Sequence, residues 1–291
     1  MAATFENLQK NHPCFAVGTK NNKGRIHLPV SLGCNIACNF CQRSINDVDN
    51  HPGVAREIIS PEAAVEVIRK AIALYANITV AGVAGPGDAL ATPHALKTFR
   101  LIKKEFPDII TCMSTNGLLL LDYADEIADV GIDSLTVTVN AIDPEIQAQI
   151  CKSIVYHGKL YEGYEAAEIL IKNQLAGIEK VSRAGTNVKV NTVLIPEINA
   201  DHVPVVAKTV AAHGACLFNI IPLIPQHNLS WCSAPGCDLI SKTRAEAETY
   251  INVFRHCQRC RADAAGIPGG KDISRELYAR PVRLETTFSH G

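Results

Sequence analysis

Three cysteines stand close together near the start of the chain in the spacing C-x3-C-x2-C, namely Cys34, Cys38 and Cys41. Thiolates bind iron in iron–sulfur clusters, and a cubane cluster normally takes four of them. Three ligands on one short loop therefore leave one iron open to a small molecule with oxygen and nitrogen donors. A structural zinc site would require a fourth ligand nearby, often in a second C-x2-C pair. The loop thus favours a reactive iron–sulfur cluster over zinc.

Further candidate ligands lie near the two ends of the chain. Cys14, in the segment HPCF, is either a ligand or a simply buried thiol. A lone histidine is by default a core or surface residue, but His27 precedes the cysteine loop directly, which favours a ligand. Cys257 and Cys260 form a C-x2-C pair, a redox or metal signal. Because this pair lies in a tail and not on the first helix of a small βαβ domain, metal binding is the stronger interpretation.

The composition describes an ordinary globular protein of 291 residues, with 47% hydrophobic and 20% charged residues. A net charge of -1 gives no general attraction to nucleic acid. No apolar run approaches the roughly 18 residues that a membrane span needs. Eleven cysteines without a signal peptide fit metal binding in a reducing cytoplasm better than a disulfide framework. We therefore expect a cytoplasmic protein with neither nucleic acid nor membrane as a partner.

The elements that must position these residues alternate between strands and helices. Strands are predicted at 25–31, 78–83, 109–114, 134–140, 187–195 and 216–221. Helices are predicted at 61–76, 94–106, 121–130, 163–184, 202–213 and 243–256. Such alternation predicts βαβ units in a parallel sheet, which right-handed crossovers curl into a complete or partial barrel. Parallel barrels carry their chemistry at the C-terminal ends of the strands, where the polar segments GPGD and STNG fall.

Three regions follow from this pattern. Residues 1–24 form an irregular N-terminal arm, residues 25–221 form the barrel, and residues 222–291 form a C-terminal extension with the C-x2-C pair. The last residues, 271–291, are polar, and we expect them to be loosely attached.

Seven short segments, in this order, resemble the NifB family of radical S-adenosylmethionine (SAM) enzymes, which mature the nitrogenase cofactor. The segments are HPCF at 12–15, CNIACNFCQR at 34–43, AGPGD at 84–88, STNGL at 114–118, KVNTVLIP at 189–196, NIIPLIP at 219–225 and HCQRCRADAAG at 256–266. Each is weak alone, whereas the ordered set is specific. The resemblance implies an α/β fold, a radical SAM partial (β/α)6 barrel whose N- and C-terminal extensions close the mouth.

The resemblance also implies three iron–sulfur sites. Cys34, Cys38 and Cys41 would bind the SAM-cleaving [4Fe–4S] cluster. Cys14, Cys257 and Cys260 would hold a second [4Fe–4S] cluster, a precursor, and His27 and Cys112 would hold a third. Family members often have another cysteine after the loop, but residues 42–50 contain none, so the third site has fewer protein ligands or uses another group. The remaining thiols are interpreted as structural (Cys151 and Cys216) or as surface thiols rather than a cluster-handling pair (Cys232 and Cys237).

Six residues at strand ends are predicted to contact SAM: Gly85, Asp88, Asn116, Thr138, Asn191 and Ile195. The turn from Gly85 to Asp88 would offer backbone carbonyls to the ammonium group, and Asn116 would bond to the ribose. Thr138 and Asn191 would reach the carboxylate or ribose, unless they only satisfy internal polar groups. Ile195 would pack on the adenine, unless it belongs to the core.

The family chemistry implied is the fusion of two [4Fe–4S] clusters with a SAM-derived carbide and an extra sulfur, giving the iron–sulfur core precursor of the nitrogenase cofactor. It proceeds by methyl transfer and 5′-deoxyadenosyl radical chemistry. Implied partners are SAM, iron–sulfur cluster donor proteins, an electron donor, and downstream cofactor carrier and scaffold proteins. Two alternatives stay open: a radical SAM enzyme with auxiliary clusters that acts on an organic or peptide substrate, and a non-catalytic iron–sulfur carrier. The carrier would need the cysteines but not GPGD, STNG or a barrel.

Overall fold

A computed structural model describes residues 2–16 and 22–278 of the chain. Its strands are β1 Gly24–His27, β2 Ile36–Cys38, β3 Ser44–Ile45, β4 Val54–Ala55, β5 Ile78–Val83, β6 Ile110–Thr115, β7 Ser134–Thr138, β8 Cys151–Tyr156, β9 Lys159–Glu162, β10 Asn187–Leu194, β11 Leu217–Pro222 and β12 Ala265–Gly266. Its α-helices are α1 Phe5–Asn11, α2 Pro61–Leu74, α3 His94–Glu105, α4 Leu120–Val130, α5 Pro144–Ile150, α6 Gly163–Arg183, α7 Val203–Ala212, α8 Cys237–Glu248 and α9 Ser274–Leu277.

The main sheet has the strand order β11-β10-β7-β6-β5-β1-β12. The six strands from β11 to β1 are parallel, and only the short edge strand β12 runs antiparallel, beside β1. The largest apolar core packs the helices against one face of this curled sheet, with Phe99 and Ile127 from the helices and Val83 and Leu135 from the strands. The predicted partial barrel of six parallel strands is confirmed.

Local sequence signals predict the start of one helix correctly and the end of another wrongly. Helix α2 begins where predicted, because Ser60 caps it by accepting a hydrogen bond from the Ala63 amide and Pro61 occupies its first position. The helix predicted at 243–256 is wrong, since α8 ends at Glu248. Beyond it, Phe218 of β11 donates to the Asn252 carbonyl (2.9 Å) and accepts from the Phe254 amide (2.7 Å). Pairing along the sheet edge therefore overrides the helical pattern.

A second, three-stranded sheet carries the cysteine loop. Strand β2, inside that loop, pairs with β8, which forms an antiparallel hairpin with β9. Neither α5 nor this hairpin is predicted from the sequence. Together they fix one side of the loop to a rigid element outside the barrel.

The N-terminal arm covers the end of the main sheet where the strands begin. Ala3 donates to the Asp133 carboxylate just before β7 (2.8 Å) and accepts from the Asn187 amide at the start of β10 (2.6 Å). The Thr79 hydroxyl, at the start of β5, donates to the Asn11 carbonyl (2.6 Å). This revises the expectation that both extensions close the mouth, because the arm closes the opposite end. The irregular arm predicted for residues 1–24 also contains helix α1.

The last described residues are packed and not loose. Leu277 and Tyr278 are buried, and the Tyr278 hydroxyl donates to the His27 carbonyl (2.5 Å). The loose attachment expected for 271–291 is therefore wrong up to residue 278, and residues 279–291 lie outside the described residues. Within the described ranges, no helix has the length and apolar character needed to cross a membrane. The three predicted regions stay a prediction.

Candidate functional site

A cavity of about 350 Å³ lies inside the curled sheet. All eight residues predicted as metal ligands line it: Cys14, His27, Cys34, Cys38, Cys41, Cys112, Cys257 and Cys260. Five of the residues predicted to contact SAM line it as well: Gly85, Asp88, Asn116, Thr138 and Asn191. Candidate sites that are far apart in sequence thus open into one space of a size typical for small-molecule sites.

The cysteine loop rests on the GPGD turn through backbone contacts. The Gly87 amide donates to the Ser31 carbonyl (2.8 Å), and the Asp88 amide donates to the Gly33 carbonyl (2.9 Å). A Cβ at Gly87 would overlap the Gly33 carbonyl oxygen, so only glycine permits this approach. The turn therefore sets the position of the loop.

The three loop thiols form a soft donor set that fits a cluster. Burial raises the pKa of Cys34 to about 12, with the Asp88 charge adding to it, and burial also raises the pKa of Cys41. Iron binding must therefore displace protons. Among the described residues, no three His, Cys, Asp or Glu side chains converge tightly enough to hold a single metal ion.

The Asp88 carboxylate supports the neighbouring strand end. It accepts hydrogen bonds from the Thr115 hydroxyl (3.0 Å), the Leu90 amide (2.9 Å) and the Asn116 amide. Burial raises the pKa of Asp88, and these donors oppose that shift. The side chain of Asp88 thus holds the STNG segment, while the backbone of its turn borders the cavity.

Asn116 is tied to the cysteine loop. Its side-chain amide donates to the Asn35 side chain (2.7 Å) and lies 3.8 Å from the Cys34 sulfur, while its side-chain oxygen accepts from the Leu118 amide. The predicted contact of Asn116 with a ribose therefore competes with contacts inside the protein, and it stays a prediction.

Thr138 and Asn191 face each other in register across β7 and β10. The Gln174 amide donates to the Thr138 carbonyl (2.8 Å), and Asn191 accepts from Asn219 (3.0 Å). The side-chain oxygen of Gln174, which lines the cavity, is buried without a hydrogen-bond partner among the described residues. A free acceptor here fits a ligand that brings a donor, such as the ammonium group of SAM.

Ile195 is not brought to the cavity. Its side chain is fully buried in a satellite core with Ala141 and Leu223, and Val193 lines the cavity instead. Side chains alternate along a strand, but β10 ends at Leu194, so the inward pattern does not extend to residue 195. The structure thus supports the core interpretation of Ile195.

The second group of thiols gathers deeper in the cavity. Cys14, Cys112 and Cys257 pack against one small apolar core. The Arg25 guanidinium donates to the Cys260 sulfur (3.0 Å). Burial raises the pKa of Cys14 to about 12, and nearby Cys260 and Cys112 add to this shift. Cys112 therefore lies near the other three thiols. It also lies near His27, since a Cβ at Gly82 would be 3.6 Å from the Cys112 Cβ and 3.5 Å from the His27 ring, so its site with His27 stays a prediction.

Two imidazoles border the same region. His27 donates through Nδ1 to the Arg261 carbonyl (3.0 Å), which leaves Nε2 with a free lone pair. Burial lowers the pKa of His27 to about 4, so the ring is neutral at pH 7. The Nδ1 atom of His12 accepts from the Cys14 amide (3.1 Å), and its Nε2 is buried without a partner among the described residues. His27 thus has the form in which histidine binds metals, whereas neutral His12 carries its proton on Nε2 and offers a donor there.

Comparisons with known proteins agree with this geometry. The family model described as Radical SAM superfamily matches residues 28–210. The FeMo cofactor biosynthesis protein NifB of Methanocaldococcus infernus is 45% identical over 98% of this chain and 98% of its own length. NifB of Methanocaldococcus jannaschii is 44% identical over 98% of this chain and 95% of its own length. The chain belongs to the NifB family. A radical SAM methyltransferase from Sphaerobacter thermophilus shares the fold, with a TM-score of 0.56 at 16% identity over 81% of this chain and 66% of that one.

Membership of the NifB family and the radical SAM superfamily implies a [4Fe–4S] cluster and SAM. The residues present fit both groups. Three thiols on one loop, Cys34, Cys38 and Cys41, suit the cluster, and the unpartnered oxygen of Gln174, a residue that lines the same cavity, suits the SAM ammonium.

Several residues at the site of this NifB-family chain are not predicted from the sequence. Arg25 and Lys189 lie on the inward faces of β1 and β10, and a charged residue inside an otherwise apolar strand is the signal that marks them. Gln174 sits on α6 without a distinguishing local pattern. Cys151 lies beside Cys38 of the loop because β8 pairs with β2, and the sequence does not predict the hairpin to which β8 belongs.

Proposed function

We propose that this protein is a SAM-dependent enzyme that fuses two [4Fe–4S] clusters, with a SAM-derived carbide and an extra sulfur, into the iron–sulfur core precursor of the nitrogenase cofactor. One observation carries the proposal. A single cavity is bordered by the three-cysteine loop and by thiols from both ends of the chain, Cys14, Cys257 and Cys260. A radical SAM enzyme with auxiliary clusters that acts on an organic molecule would account for the C-x2-C pair, but not for Cys14 and His27 as further ligands.

At the loop, a bound [4Fe–4S] cluster supplies the electron that cleaves a carbon–sulfur bond of SAM. The chain's own task is to bind and orient SAM. In this proposal the backbone carbonyls of the GPGD turn and the Gln174 side-chain oxygen accept hydrogen bonds from the SAM ammonium. Thr138 and Asn191 lie on neighbouring strands that border the same space, where a carboxylate or ribose would reach them.

Deeper in the cavity, the precursor clusters are substrates. One SAM would donate its methyl group to a sulfide of such a cluster and leave as S-adenosylhomocysteine. A second SAM, cleaved by one electron into methionine and a 5′-deoxyadenosyl radical, would supply the radical that takes a hydrogen atom from that methyl group and leaves as 5′-deoxyadenosine. Cys14, Cys257 and Cys260 hold one cluster, and Cys112 and His27 contribute to holding the other. Each cluster is held by fewer protein ligands than it has irons. Fewer bonds to the protein permit release, and the product must be released to reach the next protein. The partners in this proposal are iron–sulfur cluster donors, an electron donor, and the carrier and scaffold proteins that receive the product.

Cys260→Ala tests the proposal. With SAM and dithionite, the variant is expected to form 5′-deoxyadenosine as the parent does, because the loop cluster is intact. Its iron and sulfide content should fall, and its product should no longer activate cofactor-deficient nitrogenase. Cys237→Ala, at an exposed thiol, is the matched control. Unchanged iron and nitrogenase activation in Cys260→Ala would refute the second-cluster assignment. If even the parent forms 5′-deoxyadenosine without activating nitrogenase, the organic-substrate alternative is favoured.

A further inference from the structure

Two cationic side chains are buried beside the deeper group of thiols. Lys189 and Arg25 are each 6% exposed, and both line the cavity. Lysine and arginine are almost never buried unless an anion is paired with them, because desolvating an unpaired charge is costly. The surroundings of both residues therefore indicate what kind of ligand this part of the cavity takes.

Lys189 sits in an aromatic and apolar cage. Its ammonium lies 5.3 Å from the ring centroid of Phe15 and 5.5 Å from that of Phe254. Its one polar contact is a long one, 3.5 Å to the Cys14 carbonyl. Among the described residues, no Asp or Glu forms an ion pair with it. Two rings and one carbonyl hold the ammonium in place but do not neutralise it.

Arg25 is in a comparable position on β1. Its guanidinium donates to the Gly266 carbonyl (2.8 Å) and to the Cys260 sulfur (3.0 Å). Its Nε atom is buried and has no hydrogen-bond partner among the described residues. No carboxylate in the described part of the chain pairs with it either. A buried cation that already touches a candidate ligand sulfur faces the place where a cluster would bind.

A [4Fe–4S] cluster held by three thiolates carries net negative charge, and reduction makes it more negative. We propose that Lys189 and Arg25 are substrate-positioning residues that hold this anionic cluster on Cys14, Cys257 and Cys260 by charge. The inference rests on the proposed function and names the electrostatic part of its substrate site. Charge attracts the cluster without adding a bond to iron, so the cluster is retained yet can still be released.

The experiment uses the full chain with Cys34, Cys38 and Cys41 all changed to Ala, so that bound iron reports only on substrate clusters. In this background Lys189→Met is expected to lower iron and sulfide content at least twofold after reconstitution. Lys189→Arg, which keeps the charge, should stay near the parent. Lys208→Met is the matched control, because Lys208 is an exposed lysine whose ammonium also lies over a ring, that of Tyr250 (5.9 Å).

Thermal unfolding of the metal-free variants separates this role from a structural one. Methionine is similar in length and removes an unpaired buried charge, so metal-free Lys189→Met should unfold at the same temperature as the parent or higher. Parent-like iron content in Lys189→Met overturns the inference. Lower iron together with a lower unfolding temperature also overturns it, since the lysine would then serve the fold. Arg25→Gln should lower iron content as well, and parent-like content there removes Arg25 from the site.

Cys260→Ala in the same background keeps the two hypotheses apart. If that variant keeps its iron, the second-cluster assignment of the proposed function fails. If it loses iron while Lys189→Met keeps it, only the charge inference fails. If Lys189→Met loses iron as expected, the cluster that remains should have a lower midpoint potential than in the parent. The reason is that a positive charge that favours the reduced state has been removed.

Discussion

Cys38 and Cys151 are register partners across the antiparallel strands β2 and β8, and their thiols lie close enough to shift each other's pKa. This contact and burial raise the pKa of Cys38 well above its ordinary value. The Cys151 sulfur also lies 3.4 Å from the Ser153 carbonyl. A thiol that the sequence marks only as structural therefore touches a predicted cluster ligand. Hydrogen bonds to ligand sulfurs are one of the ways in which proteins set cluster potentials.

In the iron-free chain the Cys38 thiol is the donor of this contact, since the contact raises the pKa of Cys38 and lowers that of Cys151. Once iron has displaced the Cys38 proton, Cys151 is the thiol left to donate, so Cys151→Ala is expected to lower the midpoint potential of the loop cluster. Cys151→Ser, which keeps a donor, should lie closer to the parent. A redox titration followed by electron paramagnetic resonance measures the difference. Cys232, which the sequence interpretation places at the surface, is instead buried in a core that packs against Phe40 of the loop. The control is therefore Cys237→Ala, at an exposed thiol, which should leave the potential unchanged. Equal potentials in Cys151→Ala and the parent would show that the contact has no electronic role.

Gly87→Ala is expected to displace the cysteine loop, because the added methyl group overlaps the Gly33 carbonyl. Loss of about 2 kcal/mol or more of unfolding free energy is expected, together with loss of iron from the loop. Gly236→Ala is the control, since a Cβ there meets nothing within 4 Å. Urea unfolding and iron analysis measure both effects. Parent-like iron in Gly87→Ala would mean that the turn does not position the loop.

Asp263 anchors the C-terminal extension. Its fully buried carboxylate accepts from Arg56 (3.1 Å from Nη1) and Arg261 (2.8 Å from Nε). Asp263→Ala leaves two buried guanidinium groups without this partner and should cost about 3 kcal/mol or more. Limited proteolysis should then cut near Cys260 sooner than in the parent. Asp125→Ala removes only an exposed ion pair with Lys180 and should have little effect on either measurement. Equal proteolysis of the two variants would contradict the anchor role.

His27 makes stability depend on pH. Burial lowers its pKa from 6.5 to about 4, with the Arg25 charge adding to the shift. Between these values the unfolded chain binds more protons, so the free energy of unfolding falls as the pH drops from 6.5 toward 4. For this residue the loss between pH 7 and pH 5 is about 2 kcal/mol.

The variant His27→Asn cannot titrate but keeps a donor for the Arg261 carbonyl. Urea unfolding of the metal-free protein at pH 7 and pH 5 should show a smaller loss than the parent shows. Some loss should remain, because burial also lowers the pKa of His12. Equal losses in the variant and the parent would mean that His27 is not buried in its neutral form.

Elements whose signal is local were predictable from the sequence. The buried run Ile78–Val83 forms β5 with the predicted bounds, and helix α6 ends one residue before the predicted end. The end of α8 was not predictable, because residues 252–254 leave the helical pattern to pair with Phe218. The hairpin β8–β9 was also missed, since its exposed, charged residues do not form a buried strand pattern.

The residues of the candidate site also divide into those that could be predicted from the sequence and those that could not. Residue type and spacing were enough to select the cysteines, because few chemistries use C-x3-C-x2-C. The joining of Cys112 with Cys14 depends on how the arm folds under the sheet, which no local pattern encodes. Ile195 failed as a cavity residue because β10 ends one position before it. Lys189 was overlooked because a single charge in a strand acquires meaning only when its surroundings are known to lack an anion.

Lys189, Asn191 and Val193 all face the cavity from one unbroken strand, β10. Alternate residues of a strand are spaced by about 7 Å, so the backbone of β10 fixes the distances between these three side chains. The distance between Lys189, beside the deeper thiols, and Asn191, a predicted SAM contact, is therefore set by the strand itself and does not depend on the surrounding loops.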